Sequence, residues 1–145
     1  MYMDALLLFS SAQAVTAAAG STNTIDLKNA SRDVGTGESL YIVLVVTTAM
    51  TDSGSDSTVT VALEGDSTTT FTPDGTRDIM TIPAVSAVGY TAYARLAPGA
   101  APLAYRYARL LYTPNGSDLT AGAFTAFVTK DIAKYTAFAK GYTIS

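Results

Sequence analysis

At 145 residues, with 48% hydrophobic and 14% charged positions, the chain is sized for one domain with its own core, and it carries less charge than the usual share of about a quarter. A net charge of −3 with nine lysines and arginines, none in a run, excludes a basic nucleic-acid module. The absence of both cysteine and histidine excludes a disulfide framework, thiolate or imidazole metal sites, and Ser-His-Asp or Cys-His catalysis.

At the N-terminus, Leu6-Leu7-Leu8-Phe9 before Ser11-Ala12-Gln13-Ala14 has the outline of a secretory apolar core and cleavage site. It lacks the basic region such a signal needs: Asp4 stands there, and the first cation is Lys28. No run approaches the roughly 18 apolar residues of a membrane span. Residues 3–9, 14–18 and 22–27 are weak strand candidates. Residues 40–48 are apolar on both faces and predict a central strand. Residues 58–64 alternate, with Val59, Val61 and Leu63 inward and Thr58, Thr60 and Glu64 outward. The threonine-rich residues 67–72, with Phe71 near their end, read as an edge strand. Residues 77–82 form a short strand closed by Pro83. Residues 90–96 put Tyr90, Ala92, Ala94 and Leu96 on one side, Tyr93 and Arg95 on the other. Residues 103–113 and 122–130 complete the set. Asp, Asn, Gly, Ser and Pro punctuate the intervals, as turn geometry requires. About eight short strands at this spacing predict a single all-β domain, a sandwich or small barrel.

The segment 103–113 stands apart because both of its faces are partly apolar. One parity carries Tyr105, Tyr107, Arg109 and Leu111; the other carries Arg106, Ala108, Leu110 and Tyr112. A strand with one wet face should be polar on one parity, so something is expected to cover both sides. Arg106 and Arg109 sit among tyrosines, a combination enriched at interface hot spots; the alternative is an ion pair with an acid on the next strand. Farther on, Ile132, Tyr135, Phe138 and Tyr142 recur at three or four residues, which suits a short helix or an extended arm across a neighbour at 130–145. Parity and composition thus nominate Tyr105, Arg106, Tyr107, Arg109, Tyr112, Tyr135 and Phe138 as an oligomer or partner interface.

The remaining chemistry is thin. The acids are mostly aspartates in turns (Asp52, Asp56, Asp66, Asp74, Asp78, Asp118), so a paired-carboxylate hydrolase ranks third among the readings. Asp52 to Asp56 lacks the ligand ladder of a calcium loop. Gly35-Thr36-Gly37 precedes a strand rather than the helix a phosphate loop opens. Asn29-Ala30-Ser31 is a sequon only in a secreted chain. No cofactor is expected. A glycan-binding sandwich ranks second, with tyrosines in place of the missing tryptophan platforms.

Tyr-Arg-Tyr-x-Arg-Leu-x-Tyr-Thr (Tyr105 to Thr113), a short Asn-Gly turn, Thr-Ala-Gly-Ala-Phe-Thr-Ala-Phe-Val (Thr120 to Val128) and a Lys-Gly-Tyr-Thr-Ile ending follow in order. With the N-terminal run from Asp4 to Val15, Thr24-Ile-Asp-Leu27 and 35–46, this arrangement resembles the capsid cement (decoration) proteins of tailed bacteriophages of the Bordetella-phage type, over essentially the whole chain. The resemblance implies a jelly-roll-like β-sandwich on the outer capsid surface of a virion, made in the host bacterial cytoplasm. It further implies bridging of neighbouring major capsid proteins and self-association, a homodimer first and a trimer second. It implies no catalytic residues, no nucleic acid and no membrane.

Overall fold

The computed structural model describes residues 7–27, 40–96, 104–116 and 119–130. Among these residues the chain forms nine strands and no α-helix. They are β1 (Leu8–Ala14), β2 (Ala19–Gly20), β3 (Ile25–Asp26), β4 (Leu40–Asp52), β5 (Thr58–Asp66), β6 (Gly75–Ile82), β7 (Thr91–Leu96), β8 (Tyr107–Asn115) and β9 (Leu119–Thr129). One sheet has the order β1-β9-β4-β7 and the other β2-β8-β5-β6, with β3 also on β8. All pairings are antiparallel. β2 meets β8 at Tyr112 and Leu111, and β3 meets it at Ala108 and Tyr107, so the two act as one interrupted strand. Eight strands then pair in a nested series: β1 with β9, β2/β3 with β8, β4 with β7, β5 with β6. That nesting, split over two facing sheets, is a jelly roll.

The core follows from strand parity. Ile42, Leu44 and Val46 of β4 and Val59, Val61 and Leu63 of β5 face inward and are buried, as alternation in β5 predicts. Ala108, Leu110 and Tyr112 of β8 and Phe124 and Ala126 of β9 join the same cluster. The Tyr112 and Phe124 rings pack with centroids 5.6 Å apart. The Tyr112 hydroxyl is paired 2.6 Å from Ser10 Oγ, which in turn donates to the Phe124 carbonyl at 3.3 Å. A buried phenol needs such a partner, and β1 supplies it from the facing sheet.

Three expected elements differ. Residues 14–18 form no strand of their own: Ala14 ends β1 and β2 begins at Ala19. Residues 67–72 form no edge strand. Asp66, itself 2% exposed, turns its carboxylate into the following segment and accepts from Thr68 N at 2.7 Å, Thr68 Oγ1 at 3.0 Å and Thr72 N at 2.6 Å. Threonine favours strands, but a carboxylate this close offers its backbone donors a local alternative to a ladder. The strand expected at 103–113 begins at Tyr107 and runs through Pro114 to Asn115. Pro114 pairs with Val59 on β5, while β2 reaches no farther than Tyr112. The proline therefore falls where β8 has a neighbour on one side only, which a sheet tolerates.

Candidate functional site

The structure divides the residues nominated from sequence. Tyr112 leaves the interface set: it is 0% exposed and belongs to the core, because it shares the inward parity of Ala108 and Leu110. Tyr135 and Phe138 lie outside the described residues. Tyr105, Arg106 and Tyr107 stay together at the entrance to β8. Arg106 donates Nε and Nη2 to the two oxygens of Asp26 at 3.1 and 3.0 Å and lies 5.0 Å from the Tyr107 ring centroid. The Tyr105 hydroxyl donates to the Asp74 carbonyl at 3.2 Å.

Arg109 is held from three sides. Its Nε donates to Glu64 Oε2 at 2.7 Å, directly across from it on β5. Its guanidinium lies 4.3 Å from the Phe71 ring centroid, on the loop that Asp66 organises. Gly20 of β2 makes room, since a Cβ there would stand 3.1 Å from Arg109 Nη1. The second covered face of β8 is thus closed at Arg109 by the chain's own loop and strands. Both arginines pair with acids on adjacent strands, the intramolecular alternative to a contact between subunits.

Among the described residues, four carboxylates are spent on structure. Asp26 and Glu64 hold arginines, and Asp66 holds its loop. Asp52 accepts from the amides of Ser55, Asp56 and Ser57. The Ser57 hydroxyl foremost, with these amides, keeps the Asp52 carboxyl below its usual range. The Thr68 amide, then its hydroxyl and the Thr72 amide, do the same for Asp66. A cleft of about 90 Å³ between β6 and β7 presents one carboxylate, Asp78, beside Arg77 and Arg95.

The surface that strand patterning did not nominate lies along β7. Among the described residues the large hydrophobic side chains left exposed are Val85, Val88, Tyr90 and Tyr93, at 60%, 66%, 38% and 54%. All four fall within nine consecutive positions. The loop before β7 is fixed to the sheet: Met50 N donates to Ser86 O at 2.9 Å, Gly89 N to Val46 O at 2.8 Å, and Val46 N to Tyr90 O at 2.9 Å. Ser86 Oγ closes the bend onto Pro83 O at 2.7 Å. Val85 sits at φ 52°, a region a β-branched residue rarely adopts and one that costs on the order of 1–3 kcal/mol. A fixed loop that strains a valine to display it, beside further exposed apolar groups, has the character of a contact surface. A sequence signal existed. From Pro83 to Gly89, Ser86 is the one polar side chain, whereas the turns at 21–24 and 53–57 are built of Ser, Thr, Asn, Asp and Gly.

Comparison with known proteins gives one family: the Bbp16 family model matches residues 9–128, from Phe9 in β1 to Val128 in β9. No curated protein matches the chain.

Proposed function

Because the chain belongs to the Bbp16 family, we propose that it is a non-enzymatic cement protein on the outer surface of an icosahedral phage capsid, where it ties neighbouring major capsid proteins together. The family's name points to a Bordetella-phage protein, and the observation that carries the reading is that the match spans the jelly roll from first strand to last. The strained apolar loop with Tyr90 at its end, and Tyr93 of β7, supply a contact surface in keeping with it. In this reading the working form is a homo-oligomer, a dimer before a trimer.

The physics asks little of each contact. A standard interface of roughly 1,600 Å² gives ordinary affinity. A protein touching two or more shell subunits gains from their fixed spacing, and the shell repeats the gain over every equivalent position.

Purified protein mixed with capsids stripped of it should co-sediment to saturation. A chain carrying Val85→Asn, Val88→Ser and Tyr93→Ser should keep its melting temperature within a few degrees, because these side chains are exposed and asparagine accepts the φ of Val85. It should co-sediment at least tenfold more weakly. Failure of the parent chain to pellet at saturating concentration would sink the cement reading. Unchanged pelleting of the triple variant would instead move the contact away from β7.

The glycan-binding alternative asks for a tyrosine row. Tyr93 meets Tyr41 at 69° with centroids 6.4 Å apart, an edge-to-face pair rather than a flat platform, so this reading gains no support.

A further inference from the structure

Among the described residues the two sheets end in β1 and β7, and in β2/β3 and β6. All of these edges but β7 are blunted. β2 and β3 are two residues each. β1 breaks register twice against β9, and Asn23 occupies two of its carbonyls, donating its amide to Phe9 O at 2.9 Å and Nδ2 to Leu8 O at 3.1 Å. β6 carries a bulge where its register shifts between Val61 and Ala62, and sets Arg77 opposite the inward Leu63. Short length, bulges and inward charges are the devices by which an edge refuses a further strand. β7 has none of them. Its six residues pair with β4 without a break, from Leu96 on Leu40 to Thr91 on Val45, and its inward side chains are Ala92, Ala94 and Leu96. Tyr90 O accepts from Val46 N at 2.9 Å, so Tyr90 faces β4. Antiparallel alternation then turns the N–H and C=O of Thr91, Tyr93 and Arg95 to the open edge, where no described strand pairs with them.

We propose that β7 receives an extended acidic segment of another protein as a further strand of the sheet. Main-chain bonds to Thr91, Tyr93 and Arg95 supply the pairing, and alternate side chains supply the selectivity. The charge of the partner follows from the cleft beside β7, where Arg77 and Arg95 stand with the single carboxylate of Asp78 over Leu63, Ile79 and Leu96. Both arginines are exposed. The ion pairs among the described residues employ Arg106 and Arg109 instead. Two guanidiniums against one carboxylate make this cleft positive in a chain whose net charge is −3. A strand laid on β7 sets alternate side chains over the apolar lining and the others beside Tyr93 and Arg95 on the outer face. Apolar residues suit the first set and acids the second, opposite charges on neighbouring strands being favourable. A second copy of β7 brings another Arg95 and no acid, so charge selects a different chain. The inference rests on the capsid reading only for the source of the strand, a shell protein, and the pairing itself is tested without capsids.

The probe is a fluorescein-labelled octapeptide of alternating glutamate and valine, with the lysine and valine peptide as control, each added to the full chain. In the free protein the amides of Tyr93 and Arg95 should exchange rapidly with solvent, and saturating glutamate peptide should slow them at least fivefold. Arg77→Ala with Arg95→Ala should weaken binding at least tenfold by fluorescence anisotropy, and the lysine peptide should not bind. Tyr93→Pro removes an N–H that points away from β4, a change an edge strand tolerates, and should abolish binding. Tyr93→Ser keeps that N–H and should retain most of it. Amides already protected in the free protein would show the edge occupied and overturn the proposal. So would equal binding of the two peptides, binding of neither, or binding unchanged by Tyr93→Pro. Should the proline variant unfold, a glutamate peptide N-methylated at alternate residues replaces it, and affinity equal to that of the parent peptide for both N-methylated registers removes the strand pairing. Pelleting with capsids while no peptide binds strikes the strand proposal alone; peptide binding without pelleting supports the pairing and strikes the capsid reading alone.

Discussion

At Arg109 the sequence offered two readings, and the geometry favours the inward one. Its Glu64 partner has a side chain 5% exposed against 26% for the arginine. Loss of the guanidinium therefore leaves a buried carboxylate without its partner, a worse defect than loss of a surface pair. Arg109→Ala is expected to lower unfolding stability by about 2–3 kcal/mol, read by urea denaturation, and Arg109→Lys to recover only part, since an ammonium neither stacks flat on Phe71 nor keeps the planar fork. A loss below about 0.5 kcal/mol, within the range of ordinary surface substitutions, would return Arg109 to the interface set. Tyr112 gives a pH signature. Burial pushes its phenol up to about 12, against the opposing effect of the hydrogen bond it shares with Ser10. The folded chain holds this proton more tightly than the unfolded chain, whose phenol titrates near 10. The associated stability is complete below pH 10 and is lost as pH rises from there through about 12. Tyr112→Phe should cost about 1 kcal/mol at neutral pH and flatten that alkaline decline. An equally steep decline in the variant would assign it to other groups.

At the scale of elements, strand parity was readable where strands are two-sided and local, and unreadable where one side chain outside the pattern rewired the backbone. The run 58–64 showed its alternation plainly, and β5 follows it. The run 67–72 carries the same β-forming residue types, but Asp66 takes the amides of Thr68 and Thr72 and makes a loop. That loop then lays Phe71 on Arg109. Because these donors hold Asp66 below its usual range, the loop's order is complete above about pH 4 and is lost as pH falls through the lowered value. Amide exchange at Thr68 and Thr72 should accelerate in that acid range ahead of the core strands. Asp66→Ala should show fast exchange there at every pH, and protection unchanged in the variant would contradict the assignment. The β7 edge illustrates the opposite limit. Its strand was legible, but its role was not, because the exposure of Val85 and Val88 depends on how residues 83–90 are tied to β4.

For the whole molecule, the nested pairing of β1 with β9 through β5 with β6 brings the ends of the described fold side by side and closes one core over strands far apart in sequence. A fold of this kind presents a stable body and leaves recognition to loops and edges. Capsid cement asks for that division: modest contacts, rigidly held, repeated by the symmetry of the shell. By itself the sequence determined the all-β class, most strand positions, the inward residues of β5, the lack of histidine or cysteine chemistry and the order of motifs that resembles a phage cement family. These depend on residue type and near-neighbour periodicity, which are local properties. The tertiary structure alone decided which parity of β8 faces the core, that Glu64 and Phe71 flank Arg109, and that the exposed apolar groups gather at the start of β7 and the loop before it. Each of these depends on which distant strand lies alongside, and a period-two pattern is the same whichever of its faces is turned inward.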